Sequence, residues 1–497
     1  MESLSHCRTI ILAILAIILS ATVIKAADFY VDPVNGSMSN DGSQAHPWST
    51  MQEVWVQNKI QTKQWVRPYN DTTKLMSDKN IGAHVQPGDT IYLLSGYHGE
   101  LDIQGAINSD WITVKAAQGA TPTFRKIFLR AVSKWAFDGI SVSFSYSGTA
   151  YLSSDKMFTV ETHSNYGPSS YVTLKNSKVF SQPSVSGWIA QNWLDLAANG
   201  IYTFYTPHVI IDNVNVSVVD MGITLYGSLN GIIRNCTIDK VRGDGIRLPG
   251  SNYSVIEYNT VKNSYQVDDN HNDLIQSWAI NDNLLYPDWL DYGGLNPTYG
   301  IEIRGNTLIA HEDVNQTFKQ EVQGIGFFDG WFEDFVIENN LIVSNTTHGI
   351  TLTGTRNSRI TNNTAVYTDP NIGTQYSAIR VLPHKDRTAG YGNIVRNNLC
   401  SLLATTTTFS SPTETVSGGV VVENNISTVA NSEHFVDPAN FDFRLKETST
   451  AINAGSTTMA PMIDITQAQR DASPDIGAYE YRQVHDIVAP QNFIFKN

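Results

Sequence analysis

Between residues 209 and 426, apolar and polar positions alternate in short runs, and one pattern keeps returning. It reads apolar-x-apolar, a polar residue, Asn, then a small or apolar residue. The occurrences are IIDNVNV, IIRNCTI, VIEYNTV, IEIRGNTL, VIENNLI, RITNNTA, IVRNNLC and VVENNIS. The asparagines assigned to the pattern are Asn213, Asn235, Asn259, Asn306, Asn340, Asn363, Asn398 and Asn425, at gaps of 22, 24, 47, 34, 23, 35 and 27 residues. Alternation over runs rich in Ile, Val and Thr is the two-residue period of a half-buried strand. A floor of 22 to 24 residues with longer excursions describes one structural turn per repeat, with loops inserted at a permitted corner. A repeat this short cannot bury its apolar face alone, so its neighbours must stack, about 4.8 Å apart. Each asparagine then falls above the last, and the side-chain amides are expected to bond along the stack.

A second column has the same period. Small or apolar residues precede isoleucine at Gly222-Ile223, Gly245-Ile246, Leu274-Ile275, Gly324-Ile325, Gly349-Ile350 and Ala378-Ile379. The isoleucines are expected to stack inside. The residues one place on, Thr224, Arg247, Gln276, Gly326, Thr351 and Arg380, are expected to point outward. The architecture these columns predict is all-β, a single-stranded right-handed parallel β-helix with terminal caps and long loops. Residues 51–84 and 147–193 break the pattern, are rich in Trp, Tyr, Ser and Asn, and read as loops beside a cleft.

The chain's start is different in kind. Arg8, the apolar run IILAILAIIL and a small-residue boundary at Ala26 form a secretory signal over residues 1–26, too short for a membrane span. This predicts an exported, monomeric protein with no membrane attachment after cleavage, a β-helix domain over residues 27–481 and a tail over 482–497. A formal net charge of −14 argues against nucleic acid as a partner. It also disfavours a polyanionic substrate unless a local basic cleft or a bound cation compensates. Beyond Cys7, the cysteines are Cys236 and Cys400, about six rungs apart along the stack, too far to pair.

The ends carry a family likeness. Tyr30-Val31-Asp32-Pro33, Asn40-Asp41-Gly42 and Pro47-Trp48 resemble the opening of secreted pectate-lyase-like right-handed β-helix proteins, and the stretch from His434 to SPDIGAYEY resembles their closing cap. That resemblance is specific for fold and weak for reaction, because the fold carries many chemistries.

The densest polar stretch is residues 265–278, YQVDDNHNDLIQSW, which places Tyr265, Asp268, Asp269, His271 and Asp273 next to an inner-column strand. One position before the Gly-Ile pairs, the column reads Met221, Asp244, Asp273, Gln323, His348 and Ser377. Stacking therefore gathers Asp244, Arg247, Asp273, Gln276, His348 and Arg380 on one face. The region resembles mannuronan C5-epimerases: Asp269-Asn270-His271 is similar to their Asp-Pro-His motif, and Asp329, His348 and Tyr265 stand at matching places. Asn270 replaces the proline, Thr347 replaces a basic residue, and residues 279–299 are inserted between the motifs.

Uronate lyases and epimerases both begin by removing the C5 proton, which requires neutralising the adjacent carboxylate and placing a base near C5. Arg247 or Arg380 would neutralise, His271 or His348 would take the proton, and a histidine or Tyr265 would act as acid. Asp244, Gln276 and Asp329 would contact substrate. Asp268, Asp269 and Asp273 are alternatively candidate Ca²⁺ ligands, since that ion prefers carboxylate oxygens; a mechanism without any cofactor is equally open. Two rival readings remain. One is a hydrolase similar to polygalacturonases, using Asp268-Asp269, His348-Gly349 and Arg380; the other is a non-catalytic carbohydrate-binding β-helix.

Overall fold

We describe a computed structural model of the chain. It covers residues 26–280, 297–369, 371–374, 376–384, 388–403, 420–428 and 431–483. The expected export signal, most of the inserted loop and most of the tail lie outside the described residues.

The structure is a right-handed parallel β-helix with three sheet faces per turn. One turn shows the logic. Ile223–Tyr226 lies on the first face, Ile232–Arg234 on the second and Thr237–Val241 on the third. Each pairs in parallel with the equivalent strand one turn on. The expected inner column is present as one continuous register on the first face: Ile201, Ile223, Ile246, Ile275, Ile325, Ile350, Ile379 and Leu403. The glycines before these isoleucines have a steric cause. A Cβ on Gly222 or Gly245 would meet the next rung's carbonyl oxygen at 2.3 or 2.6 Å and an interior Ile238 or Val261 methyl at 2.8 or 2.4 Å.

The asparagine ladder forms, but it begins two rungs later than the sequence reading placed it. Asn259 Nδ2 donates to Asn306 Oδ1, Asn306 to Asn340, Asn340 to Asn363, Asn363 to Asn398 and Asn398 to Asn425, at 2.9 to 3.0 Å. Each Nδ2 also donates to a main-chain carbonyl of the preceding rung, as from Asn340 to Ile303. Asn213 and Asn235 belong to the neighbouring column. They have φ of 54° and 55°, and their column continues through Tyr258, Gly305, Asn339, Asn362, Asn397 and Asn424, all left-handed. The ladder position on their own rungs holds Val214 and Cys236, whose N–H donates to Asn259 Oδ1. Where two adjacent asparagines occur, the first supplies the left-handed corner and the second the buried amide. A lone asparagine fills one role only.

The helix also begins earlier than the repeat suggested. Glu100–Ala116 and Lys126–Asp138 each run through two faces, and residues 147–193 contain the solenoid strands Lys156–Glu161, Ser170–Lys175 and Lys178–Phe180. In residues 51–84, a short helix, Met51–Val56, buries Met51 and Val54. An antiparallel hairpin follows, Thr62–Trp65 against Met76–Lys79. Cys236 and Cys400 are buried and unpaired. The segment from Phe435 to Ala478 lies along the outside of the third face instead of closing the end. It covers the outward side chains Ile309, Leu341, Val343, Val366 and Leu399. Asn339 and Asn362 tie it down through the carbonyls of Ile463 and Asp475, and Asn397 through that of Ser456. No helix among the described residues is long and apolar enough to cross a membrane.

Asn340 is fully buried, and both ends of its amide are engaged. Asn340→Ala is expected to lower stability by about 1–3 kcal/mol, because it leaves buried partners on two rungs unsatisfied. Asn235→Gly, which keeps the left-handed corner at an exposed site, is expected to stay within about 0.5 kcal/mol of wild type. Denaturant melts of both variants test the two-column assignment: equal losses would contradict it.

Candidate functional site

The outward column of the first face is in the expected register. Tyr202, Thr224, Arg247, Gln276, Gly326, Thr351 and Arg380 are successive cross-strand partners. Asp273 pairs with Gln323 in the same way. Arg247, Gln276, His348 and Arg380 are half-buried, so each keeps part of its side chain open to solvent.

Two expected groove residues sit deeper. Asp273 is 1% exposed and Asp244 is 5% exposed, so both are shielded from solvent, as are Thr224 and Thr351 of the outward column. Asp244 Oδ1 accepts the Asp273 N–H at 2.9 Å, and Gln276 Nε2 donates to Asp273 Oδ2 at 2.9 Å. The remaining oxygen, Asp273 Oδ1, has no partner and rests against Gly326. Burial raises the Asp273 carboxyl well above the ordinary range, and the Asp244 charge raises it further. Burial likewise lifts Asp244, to about 6, against the opposing pull of the Arg247 guanidinium. Both effects shift Asp273 towards its protonated form.

His348 behaves oppositely. Burial, reinforced by the positive charges of Arg380 and His271, pulls its pKa down to about 4. Its Nδ1 hydrogen-bonds the Thr351 hydroxyl at 3.1 Å, and its ring meets Phe328 edge-on at 5.1 Å. The imidazole is neutral at pH 7 and able to accept a proton. His271 and Asp269 sit on an exposed turn, as does Asp329, whose main-chain carbonyl accepts the Ala279 N–H.

Tyr265 is displaced from the groove. It is 5% exposed and stacks on Trp193 at 4.3 Å in a satellite apolar cluster with Ala197 and Val218. Burial pushes its hydroxyl up to about 12. The chain leaves the third face at Ser264, so the next side chain meets the helix Ala190–Leu196 and not the first face. The aromatic loop around Trp188 and Trp193 is accordingly spent on packing.

The aspartates considered for Ca²⁺ do not assemble. Asp268 is paired with Arg242 at 2.6 Å, and the other arm of Arg242 holds Asp220 at 2.7 Å. Asp269 is exposed, and Asp273 is buried. Among the described residues, no three of His, Cys, Asp and Glu converge in a way that would hold a metal ion.

A contrast between two outward columns was missed from the sequence. On the second face, the position before the left-handed corner alternates in sign: Lys115, Asp138, Lys175, Asp212, Arg234, Glu257, Arg304 and Glu338, then Thr361, Arg396 and Glu423. Its members pair directly, as in Arg234–Asp212 at 2.8 Å and Arg304–Glu257 at 2.9 Å. The first-face column carries arginines that make no direct ion pair, although Arg247 acts at longer range on Asp244 and Asp220. Arg247 donates to the Thr224 hydroxyl at 3.0 Å, and Arg380 is desolvated enough to lower its pKa. Among the described residues, the arginines without an ion pair are these two and Arg67, which lies over the Tyr166 ring.

Comparison with known proteins gives the fold. A model described as a right handed beta helix region matches residues 125–266 and 199–365. No curated protein matches the sequence. Among solved structures, pectate lyase Pel9A is similar over 93% of this chain and 98% of that chain, at 16% identity and a TM-score of 0.42. XylC in complex with xylose is similar over 92% and 99%, at 10% identity and a TM-score of 0.49. The A-module of AlgE6, a mannuronan C-5 epimerase from Azotobacter vinelandii, is similar over 68% and 90%, at 13% identity and a TM-score of 0.41. The likeness is one of fold.

The buried acid has a pH signature. A carboxyl whose folded pKa is raised contributes stability in full below its unfolded pKa, near 3.8, and that contribution is lost as pH rises through the folded value. Asn mimics the protonated form. Thermal melts are therefore expected to show Asp273→Asn gaining on wild type as pH is raised from about 4 towards 8. A difference in Tm that is flat with pH would mean Asp273 is ionised in the folded protein.

Proposed function

We propose that the first face binds an acidic, uronate-containing polysaccharide and removes its C5 proton, as a polysaccharide lyase or a uronate C5-epimerase. The observation that carries this reading is the pair of unmatched guanidinium groups, Arg247 and Arg380, on a chain of net charge −14. Desolvating a cation is costly unless an anion meets it. Elsewhere in the described residues nearly every arginine has its own carboxylate. On this column the missing anion is the substrate's.

Arg380 and His348 then have complementary tasks. The Arg380 guanidinium neutralises the uronate carboxylate, which makes C5–H more acidic and stabilises the charge that develops as the proton leaves. His348 is neutral at pH 7, and its Nε2 is the nitrogen left to accept that proton while Nδ1 is held at Thr351. A pKa near 4 makes a weak base, but the carboxylate brought in by substrate raises it. In elimination the C5 electron pair expels the O4 substituent, which must be protonated. In epimerisation a proton returns to the opposite face of C5. His271, on the turn whose charge reaches His348, is the candidate donor for either outcome. Arg247 and Gln276 extend the polar groove, and half-buried Tyr202, Phe204 and Tyr226 continue it with aromatic faces suited to sugar rings.

The hydrolase reading draws on a different observation, the adjacent carboxyls of Asp244 and Asp273, the first lifted to about 6 and the second shifted upward by burial and the Asp244 charge. It needs both to reach a glycosidic bond. Their low exposure disfavours it.

Incubation with a panel of acidic polysaccharides separates the outcomes. A lyase yields the ultraviolet absorbance of a conjugated unsaturated uronate. An epimerase changes only the sugar NMR spectrum, a hydrolase gives reducing ends alone, and a binding protein gives no product. For the proposed chemistry, His348→Ala and Arg380→Ala are each expected to slow the reaction about 10²–10⁴-fold with little change in melting temperature. Rates within about threefold of wild type for both variants would overturn the assignment.

A further inference from the structure

Asp89 presents a charge problem at the other end of the molecule. It is 4% exposed and makes no ion pair among the described residues. Its Oδ2 accepts the Gln86 N–H at 2.7 Å, and its Oδ1 accepts the backbone nitrogen of Ala27, also at 2.7 Å. Two neutral donors leave a buried carboxylate without a counter-charge, which is a costly state. The cleft around it offers one cation, and that is drawn elsewhere. It is lined by Asp78, Asp110 and Lys63, and Lys63 is drawn to Asp78 at 3.6 Å. Ala27 is pinned from its other side too, since its carbonyl accepts the Thr90 N–H at 3.0 Å just before Asp28–Val31 pairs with Thr90–Leu93. The sequence places the end of its export signal at Ala26, one residue before this nitrogen.

We propose that the chain is matured by hydrolysis of the Ala26–Ala27 peptide bond, and that Asp89 is the receptor for the α-ammonium this creates. A signal-type endopeptidase adds water across the bond. Ala26 leaves with the new carboxylate, and the Ala27 amine takes a proton. The atom already 2.7 Å from Oδ1 thereby changes from a neutral amide into a cation, and the hydrogen bond becomes charge-assisted. The buried carboxylate gains its counter-charge only after processing, and the first strand is fastened to the end of the solenoid by the same event. This inference stands independently of the groove chemistry.

The test has two parts. Mass analysis of the exported protein is expected to find Ala27 at the N-terminus, and any other N-terminus overturns the proposed cleavage. For the receptor, protein beginning at Ala27 is compared with the same chain N-terminally acetylated, each with Asp89 and with Asp89→Asn. A free α-amino group titrates near 7.7–8.0, and pairing raises that value in the folded state. Its stabilisation is therefore present below about pH 8 and fades as pH rises through the folded pKa. The free-amine form is expected to melt about 1–2 °C above the acetylated form at pH 7. That lead should vanish by about pH 10 and be absent in Asp89→Asn. Equal melting of the two N-termini at pH 7, or a lead that survives Asp89→Asn, would overturn the receptor role.

Discussion

Everything in this solenoid depends on one constraint: a polar group buried at a corner must find its partner one rung away. The amides of Asn259, Asn306, Asn340, Asn363, Asn398 and Asn425 meet that demand in sequence, each of the inner four accepting from one neighbour and donating to the other. Because the strands stack at a fixed spacing, locking the corner locks the phase of every other column. The loop excursions of the repeat then come and go without disturbing it. A one-residue error at the corner would turn Ile350 outward and Thr351 inward. The placement of Arg247, Gln276 and Arg380 on one line is thus set by side chains on a different part of each turn.

The two outward columns show what that precision is used for. On the second face, neighbouring charges cancel rung by rung, and the column needs nothing from outside. On the first face, Arg247 and Arg380 share a line with Gln276, Gly326 and Thr351, none of which bears a charge. Beside them, Asp244 and Asp273 are buried, and burial shifts both carboxyls towards the protonated form. Half-buried arginines without ion pairs thus share a line on an acidic protein. A formal net charge says little about such a line.

Much of the fold was legible because it is written in period and residue type. The inner isoleucines, the outward column and the stacked asparagines follow from spacing alone. The misassignment of Asn213 and Asn235 came from a real ambiguity: adjacent corner positions both favour asparagine, one for its left-handed backbone and the other for its amide. Runs such as IIRNCTI, with a single Asn, do not say which position is filled. The side placement of the C-terminal segment left a trace that was overlooked. Outward third-face residues change from Thr237, Asp239 and Lys262 to Leu341, Val343 and Val366 where that segment covers them. The site was legible as a column but not in depth. How deeply Asp273 and His348 are buried, and that Tyr265 turns away to Trp193, depend on packing that no spacing reveals.

The alternating charges from Lys115 to Glu338 also act as a parity code. If the stack skipped one turn, Asp212 would land beside Glu257 and Arg234 beside Arg304, like against like, whereas skipping two turns would restore every match. Misthreaded intermediates with an odd number of missing turns are therefore penalised while the chain is still assembling. The same rule bears on ancestry: along this edge, a solenoid lengthens or shortens most cheaply by pairs of turns.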